Sequence, residues 1–163
     1  MPMNDFLEKT EQEYSGEHDR PLKSYLRILT VYGGAVATGI AVAALTGRRA
    51  PERVGPMDLA LMAACTHKVS RLIAKDPVTS PLRAPFTTYE GVSGPSELKE
   101  EPRNAMGELL ACPFCLAQWT ATAYAAGLVF APRFTRLAGV TMTAVAASDW
   151  LQLAYAKLMR SAG

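Results

Sequence analysis

Histidine is nearly missing from this chain: 163 residues hold two, His18 and His67. There is no phosphate-binding glycine loop, no His-Glu-x-x-His pair and no histidine to spare for a hydrolytic triad, so the common nucleotide-binding and hydrolase signatures are excluded. An excess of charge is missing too. Seventeen Lys and Arg against fifteen Asp and Glu leave a formal +2, too little for a nucleic-acid surface. The short basic start of a secretory leader is also absent. The region before the first apolar run mixes Asp5, Glu8, Glu11, Glu13, Glu17 and Asp19 with Lys9, Arg20, Lys23 and Arg27, so an uncleaved first span is expected. No internal repeat or low-complexity tract is visible.

The more telling absence is local. Ile28 to Leu45 and Leu109 to Ala131 carry no charged residue, and Leu137 to Ala156 carries only Asp149. At 1.5 Å per residue, a run of about 18 residues crosses roughly 30 Å of hydrocarbon. The alternative is a buried helix in a soluble bundle. It has force because the runs are rich in Ala, Gly and Thr, although small residues also suit closely packed membrane helices and soluble helices normally keep one charged face. The expectation is therefore an all-α polytopic membrane bundle of about four transmembrane helices. A polar tail over 1–24 precedes a membrane domain over 25–163, with spans near Tyr25–Leu45, Met57–Ala74, Pro113–Ala131 and Leu137–Leu158. Between the second and third spans a long loop over 76–108 carries prolines at 77, 81, 85, 95 and 102, and a short helix is expected from Asn104 to Ala111. Twelve of the seventeen basic residues then fall on the side of the termini and the loop, which puts both in the cytoplasm.

Polar groups converge in that topology. His67, Lys68 and Arg71 on the second span and Asp149 on the fourth share a depth near the cytoplasmic boundary, either as an ion pair holding two helices or as a pocket for a ligand or proton. Cys112-Pro113-Phe114-Cys115 begins the third span at the same level. Pro113 suits the first helical position, which makes Cys112 the cap and Cys115 the third helical residue, where the helix dipole favours a thiolate. Three readings of the thiols stand: packing groups, a redox pair without the βαβ frame of thioredoxin-type sites, or metal ligands. A metal would take Cys112, Cys115 and His67, with Cys65 on another face of its helix.

Thr66-His67-Lys68-Val69-Ser70-Arg71-Leu72-Ile73, Asp76-Pro77-Val78-Thr79-Ser80-Pro81-Leu82-Arg83-Ala84-Pro85-Phe86, Gly107-Glu108-Leu109-Leu110-Ala111-Cys112-Pro113-Phe114-Cys115 with Trp119, and Ser148-Asp149 together carry a resemblance. They resemble the bacterial domain-of-unknown-function family numbered 1360, over about Met57 to Leu153. The resemblance implies a small bacterial membrane protein, without an established activity or cofactor. It picks out Lys68, Arg71, Asp76, Arg83, Pro85, Glu108, Cys112, Cys115, Trp119 and Asp149. The leading expectation is an inner-membrane assembly or interaction component that meets the lipid bilayer and docks a protein partner on its cytoplasmic loop, around Arg83. A membrane thiol-disulfide oxidoreductase using Cys112 and Cys115, and a metal-binding membrane protein, are the alternatives.

Overall fold

The computed structural model describes residues 3–15 and 20–162; Glu17, His18 and Asp19 of the polar tail lie outside the described residues. Helices α1 (Met3–Ser15) and α2 (Leu22–Leu45) lead to α3 (Pro56–Lys75), a 3-10 turn (Pro77–Thr79) and the one-turn α4 (Ser80–Arg83). An antiparallel hairpin of β1 (Thr87–Gly94) and β2 (Glu97–Pro102) follows, then α5 (Ala105–Ala111), α6 (Pro113–Phe130) and α7 (Pro132–Ala162). Helices α3, α6 and α7 each begin on a proline, whose fixed φ suits the first helical position and whose missing N–H would have no partner there.

Helix α3 is the centre of the bundle, packed on both α6 and α7. Cys65, Tyr124 and Leu128, one residue from α3 and two from α6, form the core, with Met62, Val69 and Met142 against them. Gly139 allows the approach of α7: a Cβ there would stand 2.3 Å from the Tyr124 hydroxyl oxygen. Helices α3 and α7 run in the same direction, tied near their starts by Arg136 Nε to Asp58 Oδ1 at 3.1 Å and further along by Lys68 Nζ to Asp149 Oδ2 at 2.5 Å.

The expected proline-rich loop is largely folded. Its prolines mark element ends: Pro77 and Pro81 sit in the first turns of the 3-10 helix and α4, Pro95 lies in the hairpin turn and Pro102 ends β2. None is asked to donate an N–H inside a ladder, which is why this density of proline does not force an extended chain. At the turn Ser96 takes φ of +59°, the only non-glycine with a positive φ among the described residues. The segment is held by Arg83, which is fully buried. Its five N–H groups make five hydrogen bonds: Nε and Nη2 to Glu100 at 2.6 and 3.1 Å, Nη1 to the Ile73 carbonyl at 2.5 Å and Thr79 Oγ1 at 2.8 Å, and Nη2 to the Asp76 carbonyl at 3.1 Å. One side chain thus caps the carbonyl end of α3 and grips the hairpin. The short helix expected from Asn104 is α5, with Asn104 as its cap, accepting the Gly107 N–H at 2.9 Å.

The four-span membrane bundle is not what the chain forms. Among the described residues one helix, α2, is long and apolar enough to cross a membrane. Helix α3 carries Asp58, His67, Lys68, Arg71 and Lys75, and the 31-residue α7 carries Arg133, Arg136, Asp149, Lys157 and Arg160. Both are bundle helices whose charges pair or face the surface, and a two-stranded hairpin packs beside them. The sidedness built on alternating spans falls with the bundle. Helix α2 itself buries no residue. It rests on the bundle through Tyr25, whose hydroxyl donates to Glu108 Oε2 at 2.6 Å, and Tyr32, whose hydroxyl is 2.7 Å from Thr122 Oγ1 and whose ring stacks edgewise on Trp119. Between α2 and α6 lies an apolar groove of about 400 Å³.

Breaking the Arg83 cluster should destabilise the whole unit. Arg83→Met leaves Glu100, whose side chain is 6% exposed, as an uncompensated buried charge, a loss of about 3–5 kcal/mol in thermal or denaturant unfolding. Arg83→Lys should recover little of it, because an ammonium cannot reproduce the five-donor fork. A wild-type-like transition in Arg83→Met would remove the residue from this role.

Candidate functional site

The polar residues expected to converge meet in a cleft between the second half of α3, the C-terminal half of α7 and the hairpin turn. Its volume is about 590 Å³. His67, Lys68 and Arg71 face it from α3 and Asp149 from α7; Lys75, Asp76, Glu97, Trp150 and Arg160 complete its charged and aromatic lining. The spacing explains the convergence: positions 68, 71 and 75 fall on one face of α3, three and four residues apart. Lys68 pairs with Asp149, and Arg71 pairs with Glu97 beside the hairpin turn. The His67 ring lies 6.1 Å from that of Trp150. The Lys68 side chain is 17% exposed but that of Asp149 is 44% exposed, so the pair sits at a wet margin. Its strength is correspondingly nearer that of a surface ion pair than of a buried one.

The cysteines do not line this cleft. Cys65 is in the core, where burial raises its thiol pKa. Cys112 caps α6 and its sulfur accepts the Cys115 N–H at 3.2 Å, an N-cap contact made by a thiol in place of the usual hydroxyl or carboxylate. Both thiols are free. Desolvation of the sulfur, then the hydrogen bond and charge of Cys112, push the Cys115 thiol up to about 11. The helix-dipole argument for an acidic thiol therefore does not extend to Cys115. No group of three or more His, Cys, Asp or Glu side chains able to hold a metal occurs among the described residues, so Cys112, Cys115 and His67 are not gathered as ligands.

The loop positions have structural partners. Arg83 is enclosed as described and is unavailable for docking. Asp76 caps the 3-10 turn, accepting the Val78 N–H at 2.9 Å. Pro85 lies between α4 and β1. Glu108 receives the Tyr25 hydroxyl and stands 3.8 Å from Arg20 Nη1. The neighbouring Gly107 is required by space: a Cβ there would be 2.2 Å from the Phe86 carbonyl oxygen. The sequence reading missed Glu97 and Glu100, the carboxylates that engage Arg71 and Arg83. Their signal was only a charged run, Glu97-Leu98-Lys99-Glu100-Glu101, whose alternation places Leu98 and Glu100 inward.

Two outcomes are expected. In a double-mutant cycle of Lys68→Met and Asp149→Asn, thermal unfolding should give a coupling of about 0.5–1 kcal/mol, and strictly additive losses would contradict the pairing. For the thiols, alkylation at pH 8 should leave Cys115 slow, since a thiol at about 11 is ionised to only about one part in a thousand there. Fast labelling of Cys115 at that pH would contradict the raised pKa and the Cys112 contact behind it.

Comparison with known proteins adds one assignment. Neither a curated protein nor a solved structure matches the chain. The family model described as protein of unknown function (DUF1360) matches residues 61–155, which takes in most of α3, the Arg83 cluster, the hairpin, α5, α6 and the part of α7 that carries Asp149. On that match, over more than half of its length, the chain belongs to the DUF1360 family.

Proposed function

We propose that the protein is a bacterial membrane protein held to the cytoplasmic membrane by α2, and that its helical body works as an assembly or interaction component. The observation that carries this reading is α2 itself: 24 residues, uncharged beyond Arg27, with none buried. Leu26, Leu29, Val31, Ile40, Val42 and Leu45 are all exposed along it. Fully burying such a side chain is worth about 1.5–3 kcal/mol, so the unpacked helix holds a driving force of several kcal/mol that the bundle does not use. A bilayer satisfies it. The polar contacts of Tyr25 and Tyr32, and of Arg48 with the Phe130 carbonyl just past the helix end, hold one side of α2 along the bundle and leave its other faces available. Docking of a protein partner falls to the exposed outer faces of the bundle, since Arg83 is internal.

A thiol-disulfide activity is the second reading, favoured by Cys112 and Cys115 lying one helical turn apart at the partly exposed start of α6. Oxidation of the pair by a substrate disulfide, which takes up the two electrons and two protons and leaves as two thiols, would be visible as loss of two thiols alkylatable after unfolding.

The anchor is tested by fractionation of bacterial cells expressing the full chain. The wild type should sediment with membranes and resist carbonate extraction, and Leu29→Lys with Ile40→Lys, both at exposed positions, should lose most of that retention. Wild-type protein recovered in the soluble fraction after low-salt lysis would overturn the reading.

A further inference from the structure

The cleft between α3, α7 and the hairpin turn carries more positive charge than its own carboxylates neutralise. Lys68 and Arg71 are matched by Asp149 and Glu97. The third carboxylate, Asp76, keeps its charge while accepting the Val78 N–H, so four cations face three carboxylates and the cleft is left with one net positive charge. That leaves Lys75 and Arg160, which face the same cleft from the last turns of the two parallel helices and make no ion pair among the described residues. Cations in a last turn ordinarily complement the helix carbonyls. At α3 that role is filled: Arg83 binds the Ile73 and Asp76 carbonyls, and Thr79 Oγ1 donates to the Leu72 carbonyl at 2.5 Å. Lys75 is therefore free for an external anion.

Beside His67, Ser96 and Gln152, the remaining lining of the cleft has an apolar stretch. Leu72, Ala146, Trp150, Leu153 and Ala156 line it, and Trp150 and Leu153 are each more than half exposed. A basic pair beside an exposed tryptophan and leucine suits an amphiphile: the anionic head meets the cations and the apolar part lies on the aromatic side. Resting on the membrane reading above, we infer that this cleft binds the phosphate headgroup of an anionic phospholipid, with Lys75 and Arg160 holding the phosphate and Trp150 and Leu153 receiving the glycerol and upper acyl region. The ion pairs of Lys68 and Arg71 then serve to hold the α3, α7 and hairpin walls, and the headgroup supplies the carboxylate-like partner that Lys75 and Arg160 lack.

The test uses the full chain purified in a neutral sugar detergent, with Trp119→Phe so that Trp150 is the sole tryptophan. Phosphatidylglycerol, phosphatidylcholine and inorganic phosphate are titrated separately in mixed micelles, following Trp150 emission and the unfolding temperature. Phosphatidylglycerol should give a saturable response and stabilisation. Lys75→Gln with Arg160→Gln should weaken it about tenfold or more. The charge-conserving Lys75→Arg with Arg160→Lys should retain it, as should Lys9→Gln with Lys99→Gln, which removes equal charge away from the cleft. An equal response to phosphatidylcholine, an unchanged response in the Gln pair, or the same response to inorganic phosphate alone would overturn the lipid assignment. A wild-type chain retained in membranes but without headgroup selectivity defeats this inference alone, whereas loss of membrane retention defeats the anchor whatever the micelles show.

Discussion

A guanidinium with no exposure to water, bonded through all five of its N–H groups, is the constraint on which the rest of this structure depends. Removing a charge from water is costly, and only near-complete satisfaction by a carboxylate and fixed carbonyls offsets it. Arg83 meets that condition by drawing three separate pieces together: the carbonyl end of α3, the turn at Thr79 and the inward face of β2 at Glu100. The hairpin has two strands and little apolar surface, so it would be marginal alone. Clamped at Glu100, it brings Glu97 to Arg71 and closes one side of the charged cleft.

The segment from Gly107 to Cys115 reads as architecture once the contacts are seen. Gly107 lets α5 lie against the Phe86 carbonyl, Glu108 receives Tyr25 from the apolar helix, and Cys112 caps α6. Within six residues the motif sets the hairpin against α5, docks α2 and starts α6. A motif rich in reactive side chains can thus be explained by packing and capping before any turnover is invoked. Among the cations of the cleft, Lys75 and Arg160 make no ion pair among the described residues. Tyr25 and Tyr32, two helical turns apart on one face, connect α2 to α5 and α6 and leave the remaining faces of that helix bare.

The legible parts of the fold were those governed by local rules. Proline at a first helical position, Asn104 as a cap and the start of α6 at Pro113 follow from capping chemistry. The meeting of Lys68 with Asp149 was legible from their similar distance along two helices that run the same way. The hairpin was illegible because Glu100 takes an inward position beside Leu98, so the strand shows no sustained apolar alternation. Its partner Arg83 lies in a proline-rich stretch that looks solvent-exposed. The four-span expectation failed for a related reason. An uncharged alanine- and threonine-rich segment suits either lipid or the inside of a small bundle, and α6 is covered by α3 and α7 while α2 is not. Nothing in either segment's composition records which neighbours will arrive.

Native-state hydrogen exchange of the hairpin amides, on the full chain in neutral detergent, probes the central claim most directly. If the buried Arg83–Glu100 pair holds residues 76–108 as part of the folded body, the ladder amides of Thr87–Gly94 and Glu97–Pro102 should be protected to nearly the same free energy as the core of α3. Exchange of those amides at unfolded-chain rates, beside a protected α3, would show a loose connection instead and contradict the account.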